Sequence, residues 1–335
     1  MRTFKLAIIG CGGVSALHAE AYARHPERAR VVAAVDPQTE RAEQLASQFP
    51  GCRAYASVSG AVTGPPWDIG VVCSPTPVRS GVVAELARSG KHVFVEKPFA
   101  DNLLEATHMV EECESAGVQL AVHQNFRYHY PFDLARSLIG SGRIGRVTTV
   151  AHRDLMLRRD EGWRTSAKRH SLAVMGVHWL DGFRWMLEDE PVSVWCLLHS
   201  SPLIETAGDS DALVQATFAG GATVSYVQSF SCPIPEVGTT VIGESGSLSL
   251  DYQSLREALV AQGPGPVVST QPNPCGSDKP EATFLAIEEL LKAIESDGAP
   301  SNSGRDNLAT VRFLEAAYLS ADQGGPVAVT PGRAP

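Results

Sequence analysis

The chain has 335 residues, 44% of them hydrophobic and 19% charged, the balance of an ordinary globular protein with one large or two ordinary domains. A formal net charge of −9 excludes an extended nucleic-acid surface, which needs a basic stripe, and leaves room only for a locally basic pocket. No apolar run approaches the length that spans a bilayer, so no membrane partner is expected.

Residues 6–9 form an apolar run too short for a free helix and flanked by glycine, which reads as a buried parallel strand. Gly10-Cys11-Gly12-Gly13-Val14-Ser15 follows, then a helical run to residue 23, then a second apolar run at 31–35 ending on Asp36. Strand, glycine turn, helix, strand and acid in that order form a dinucleotide-binding frame. Gly10 allows the tight turn, Gly12 lets backbone approach a pyrophosphate, and small Ser15 permits helix–strand packing. Gly13 and Val14 lead into the helix start, whose N–H groups face the phosphates. Asp36 stands where an acid holds a ribose 2′-hydroxyl. Its charge repels an added 2′-phosphate, and Pro37-Gln38-Thr39 offer no guanidinium, so NAD rather than NADP is the expected cofactor.

The alternation continues with a helix at 38–49, a strand at 68–73 ending in Ser74-Pro75, and a helix at 78–89. A strand at 91–95 then runs into Glu96-Lys97-Pro98, and a helix at 102–116 and a strand at 119–122 follow. This predicts an α/β fold with a doubly wound parallel sheet over residues 1–123, its ligand outside the strand carboxyl ends. Beyond 123 the pattern changes. Strands at 146–153, 192–199, 212–218, 223–230, 239–243 and 247–251 have no helices between them, and Gly220-Gly221 reads as a hairpin turn. A second domain over 124–335 with a large, open, mainly antiparallel sheet is expected, with helices at 171–187, 284–296 and 308–323 and a loop at 263–278. The last helix has the option of packing back toward the first domain.

These residues match a known pattern. The chain resembles the Gfo/Idh/MocA oxidoreductases, nicotinamide enzymes that act on sugars, cyclitols and their derivatives. Gly10–Ser15 with His18, Ser74-Pro75, Glu96-Lys97-Pro98, Asn125-Phe126-Arg127-Tyr128 and Gly176-Val177-His178-Trp179-Leu180-Asp181 are similar to that family's motifs. The resemblance implies a Rossmann domain followed by an α/β domain whose open sheet makes a homodimer or homotetramer. It adds Ser74, Pro75, Glu96, Lys97 and Asn125 to the cofactor contacts Gly10, Gly12, Gly13, Val14 and Asp36, and it implies Lys97 and His178 as catalytic residues. Two departures stand out: Val174 lies where the family has an acid four residues before the histidine, and Lys168-Arg169-His170 replaces a run of glycines.

Oxidising a secondary alcohol needs a base within hydrogen-bond reach of the hydroxyl. Lys97 is expected to serve, with His178 in support and Asp181 as a substitute partner for that histidine. Lys97, Arg127, Arg153, Arg164, Arg169, His170 and His178 are the candidate substrate contacts; if the basic ones converge, a carboxylated or phosphorylated sugar suits the pocket. The expected partner is thus a small carbohydrate or cyclitol. Two other functions fit the same residues: redox-assisted elimination, hydrolysis or epimerisation with a transiently used cofactor, and non-catalytic sensing. Seven scattered cysteines without C-x-x-C, and histidines at no zinc spacing with them, imply free thiols, a cytoplasmic location and no metal. The first strand begins too near the start to leave room for a signal peptide.

Overall fold

In the computed structural model, which describes residues 2–260 and 265–330, the chain divides into two units. One holds the chain through Asn125 together with Asp278–Val311; the other holds Phe126–Ser277 with the chain from Arg312 onward.

The first unit follows strand and helix in turn: β1 (Phe4–Ile9), α1 (Ser15–Arg24), β2 (Ala29–Val35), α2 (Thr39–Ala46), β3 (Arg53–Tyr55), α3 (Val58–Val62), β4 (Ile69–Val72), α4 (Thr76–Arg88), β5 (His92–Val95), α5 (Leu103–Ser115) and β6 (Leu120–Val122). The sheet order is β3-β2-β1-β4-β5-β6, with every pair parallel. The chain winds outward from β1 to β3, returns to β4 and winds the other way. That reversal opens a crevice at the carboxyl ends of β1 and β4, where ligands of such sheets bind. Sequence spacing alone assigns everything after residue 123 to a second domain, whereas residues 278–311 pack on the first. The helix Lys279–Ser296 carries Glu288 and Glu295, whose carboxylates receive the buried Arg28 guanidinium at 3.0 and 2.8 Å. The His25 ring stacks on Phe284 at 3.6 Å, and Asn302 Nδ2 donates to the Val122 carbonyl at 2.9 Å.

The second unit begins with α6 (Phe126–His129) and α7 (Phe132–Gly140). Its nine strands are β7 (Val147–Leu157), β8 (Pro191–His199), β9 (Asp211–Phe218), β10 (Thr223–Ser229), β11 (Ser231–Gly243), β12 (Gly246–Leu250), β13 (Ser254–Leu259), β14 (Val267–Pro272) and β15 (Val327–Ala328), in the order β14-β13-β12-β11-β7-β10-β9-β8-β15. Between β7 and β8 lie a π-helical turn, Leu172–Gly176, and α8 (Val177–Leu187). That helical crossover brings the β8–β9–β10 meander back with β10 parallel to β7, so the sheet is mostly but not wholly antiparallel. The loop expected at 263–278 is corrected in part: Val267–Pro272 is a strand paired with β13. Its Val-Val-Ser-Thr run suits a strand, and the Gly/Pro-rich flanks hide it; residues 261–264 lie outside the described part. Trp179, Phe183 and Met186 of α8 bury against Val194, Cys196, Val214 and Tyr226 on one face of the sheet. Among the described residues, no helix is long and apolar enough to cross a membrane.

Candidate active site

The first unit supplies a dinucleotide cradle. Gly10 has φ +91°, and a Cβ there would stand 2.9 Å from the Ser74 nitrogen, so only glycine lets the β1–α1 turn lie against the end of β4. Above Gly12 and Gly13 a Cβ would meet nothing within 4 Å. Helix α1 has no side-chain cap and no acid in its first turn, so no side chain competes with an anion at its start, although the Ser15 and Leu17 N–H groups turn back to the Gly12 and Val14 carbonyls. Asp36 is nearly buried; its Oδ2 accepts from the Cys11 N–H and its Oδ1 from the Gln38 N–H, both at 2.8 Å. It therefore shapes the glycine turn. Ser74 Oγ, the Gln124 amide and Asn125 Oδ1 are buried at or just beyond the strand ends without a protein partner. Open space over two glycines, an uncapped helix start and orphaned polar atoms together fit a dinucleotide.

At the end of β5, Glu96 is enclosed rather than open to a cofactor. Its Oε1 accepts from His18 Nε2 at 2.7 Å and His123 Nδ1 at 2.6 Å, and its Oε2 accepts from the Lys97 backbone N–H at 3.1 Å. Burial alone would raise this carboxyl, yet His123 and His18 hold it well below the usual range. Arg79 of α4 lies wholly inside the unit. Its guanidinium donates to the carbonyls of Pro98 and Phe99 on one side and to the Ser74 carbonyl at 2.7 Å on the other. One side chain thus ties together the loops after β4 and β5. Nothing in the linear pattern of α4 marks it beyond an arginine at a helical position facing inward.

The second unit carries the histidine helix. His178 sits in the first turn of α8, 3% exposed, with its ring stacked on Phe126 at 3.9 Å and 10° between planes. Asp181 is bound by Arg127: Nε to Oδ2 and Nη2 to Oδ1, both 2.8 Å, with each side chain 1% exposed. That bidentate pair joins α6 to α8. It gives Arg127 a structural task where a substrate contact was expected. Asp209, which sequence reasoning missed, fixes the helix start. Its carboxylate accepts from the His170 and Leu172 N–H groups, the Ser171 hydroxyl and the Tyr318 hydroxyl, all within 2.9 Å. A Cβ on Gly208 would lie 2.7 Å from the Ala167 and Lys168 carbonyls, so this approach needs the glycine beside it.

The basic candidates divide: Arg127 and Arg153 pair with Asp181 and Glu236, whereas His170 and Arg164 both act on Asp160. Arg153 alternates to the face of β7 opposite His152 and Asp154 and pairs with Glu236 at 2.7 Å. The Arg169 guanidinium lies 4.8 Å over the Tyr318 ring. His170 is fully buried, with Nε2 2.9 Å from Asp160 Oδ2, and Arg158 donates to Asp160 Oδ1. Burial would raise Asp160, but His170 and Arg158 bring it down to about 2. Arg164 lies in the short 3₁₀ helix Gly162–Ser166. A second missed acid, Asp154, is 1% exposed. Trp179 Nε1 donates to its Oδ2 at 2.7 Å, and its Oδ1 has no partner. Burial raises it to about 6. The sequence signal was available: His152 and Asp154 occupy successive inward positions of an otherwise apolar strand face.

A Rossmann unit with a glycine turn after β1 and a lysine after β5 of the same sheet, followed by an open-sheet unit, is the arrangement of a dinucleotide-dependent oxidoreductase. Residues 4–124 match the oxidoreductase family with an NAD-binding Rossmann fold, and residues 132–249 match the GFO/IDH/MocA C-terminal domain. The chain belongs to the Gfo/Idh/MocA oxidoreductase family. It is 28% identical to a D-apiose dehydrogenase of Paraburkholderia graminis, over 98% of this chain and 90% of that one. It is 26% identical to an inositol 2-dehydrogenase of Rhizobium meliloti, over 95% and 97% respectively. An oxidoreductase from Agrobacterium radiobacter, solved with NAD+, L-tartaric acid and magnesium, superposes with a TM-score of 0.85 at 25% identity over 97% and 98% of the two chains. Levoglucosan dehydrogenase with NADH and levoglucosan shares the fold, with a TM-score of 0.89 at 20% identity over 98% and 100%.

Proposed function

We propose that the protein interconverts a secondary hydroxyl and a ketone on a neutral sugar or cyclitol, with NAD as the hydride carrier. The observation that carries this reading is the arrangement of one unit: an open space over Gly12 and Gly13 after β1, and Lys97 held by Glu96 after β5, two strands along the same sheet. NAD, when bound, takes up or returns the hydride. The chain's own residues handle the proton. Lys97 takes it from the hydroxyl, and His178 is a supporting hydrogen-bond partner of the substrate. Neutral substrates are favoured because Arg127, Arg153 and Arg158 already face carboxylates. The relatives named for D-apiose and inositol point the same way. The reading extends to a homo-oligomer built on the open face of the nine-stranded sheet. A panel of polyols, aldoses and sugar acids with NAD and NADP, followed by reduced-cofactor absorbance, tests it; turnover of a neutral polyol with NAD is expected. Turnover without release of reduced cofactor would replace the dehydrogenase reading by redox-assisted elimination or epimerisation. Lys97→Met should lower kcat about a hundredfold to ten-thousandfold with NAD binding kept. His178→Ala should cost about tenfold to a hundredfold. The reverse ordering would make the histidine the principal proton carrier.

A further inference from the structure

A buried cluster of titratable side chains in the first unit adjoins the Lys97 backbone. His18 from α1, Glu96 after β5 and His123 after β6 are 0%, 4% and 2% exposed, and one donor atom of each lies within 4.8 Å of the others. The protons can be assigned from the network. Burial opposes charge on His18, but Cys73, Tyr22 and Glu96 outweigh it and raise the imidazole well above its ordinary value. Its Nε2–H points toward Glu96 at 2.7 Å, and its Nδ1 pairs with the Tyr22 hydroxyl at 2.9 Å. Burial lowers His123, which is neutral, with Nδ1–H toward Glu96. Its Nε2 then accepts from the Thr283 hydroxyl at 3.1 Å. Each ring nitrogen of His18 and His123 thus has a polar partner.

Such a cluster is a poor stabiliser. Desolvating paired charges offsets most of their attraction, and apolar residues of similar volume hold a core as well. What it does accomplish is local. Glu96 Oε2 accepts the Lys97 N–H, while Arg79 holds the next two carbonyls, those of Pro98 and Phe99. Burial brings Arg79 down to about 10, against Glu96, Cys73 and Asp101, so it stays charged at neutral pH. The backbone is thus gripped on both sides of Lys97, by an anion before it and a cation after it.

We propose that Glu96 is a positioning residue for Lys97, and that His18 and His123 serve to hold its carboxylate at the lysine's backbone. This rests on the reading of Lys97 as the proton-transfer residue. A lysine displaced by about 1 Å loses up to a hundredfold in rate without losing its cofactor.

The two faces of imidazole make the test specific. Asparagine can replace the Nδ1 donor of His123, and leucine cannot; both lose the bond to Thr283. The full-length chain, with NAD and the best substrate of the panel, should give His123→Leu and Glu96→Gln a kcat lowered about tenfold to a hundredfold. KM and NAD affinity should stay within about threefold. His123→Asn should keep kcat within about threefold of the parent while melting close to His123→Leu, so that the difference in kcat does not report stability. Equal kcat in the two His123 variants, or an unchanged kcat in Glu96→Gln, would overturn the proposal. So would a stoichiometric transition metal in the purified protein that His123→Leu loses, since the cluster would then be a metal site. Lys97→Met is measured alongside. If it stays active, the Lys97 reading itself fails; if it is inactive while Glu96→Gln is fully active, only the positioning role fails.

Discussion

Asp36 has one carboxylate oxygen on the Cys11 amide and the other on the Gln38 amide, so its charge is fixed at the glycine turn. A fixed charge discriminates better than a mobile one, and an added 2′-phosphate would face it directly. NAD should bind at least about tenfold more tightly than NADP by isothermal titration, and Asp36→Ala should shrink the gap to about threefold. Equal binding of both dinucleotides by the parent would refute this. Asp154 offers a pH test in the second unit. Its carboxyl titrates at about 6 in the folded chain against an ordinary 3.8. An acid whose folded value is raised costs stability once the unfolded chain ionises. The cost therefore begins above about pH 3.8 and is complete above about pH 6. Asp154→Asn keeps an oxygen for Trp179 and removes the charge. Relative to the parent, its stability should rise between pH 4 and pH 7 by up to about 3 kcal/mol in denaturant titrations. A difference independent of pH would show that Asp154 is not held protonated by burial. Residue chemistry was legible in the sequence where it follows the chain, as at Gly10, Asp36 and Lys97. It was not legible where partners are remote: His18, Glu96 and His123 come from three elements, and Asp209 reaches the histidine helix from 37 to 39 residues away.

The helix that bears His178 opens with a π turn, Leu172–Gly176, a feature common where a helix is adapted to function. With more residues per turn, Val174 does not stand cleanly one α-helical turn before His178. Its side chain instead packs with Ile204, Phe230 and Met156. An aspartate there would therefore be a buried, unpaired charge and not a restored relay. Val174→Asp should destabilise the unit by about 3 kcal/mol or more and lower activity further. Higher activity in that variant would show that the apolar cluster admits a carboxylate and that a relay can form. The same helix depends on Gly182, because a Cβ there would run into the Phe132 ring where α7 crosses α8. Gly182→Ala should cost about 1–3 kcal/mol by overpacking despite its better helix propensity. At this scale periodicity identified the strands and helices of the first unit in order except β3 and α3, which are too short to show a period. It could not show the parallel β7–β10 pairing, which depends on where a crossover helix delivers the chain, nor the return of residues 278–311 to the first unit, which is made by Arg28, His25 and Asn302.

Among the described residues, the helices that pack on the nine-stranded sheet lie on the face where Val194, Cys196, Val214 and Tyr226 are buried. Strand alternation sends Trp195, Leu197, Leu213 and Val227 to the other face. Register sets Leu197 opposite Leu213 and Leu213 opposite Val227, a continuous apolar row across β8, β9 and β10, flanked by Arg153 on β7. Trp195 and Leu197 remain 37% and 45% exposed. A contiguous apolar row on an uncovered sheet is the kind of surface that a second copy covers, and a stable pairing needs on the order of 1,000 Å² buried. Light scattering at micromolar concentration should therefore report a dimer or tetramer. In a two-fold pairing each substituted residue enters the interface twice, so Leu197→Glu with Leu213→Glu buries four carboxylates against one another. That double variant should be monomeric, with unchanged far-ultraviolet dichroism and, because the cradle of Gly10, Gly12 and Asp36 lies in the other unit, unchanged NAD affinity. A monomeric parent, or a variant whose mass does not fall, would mean that the face is left open to solvent or is covered through a different row of side chains.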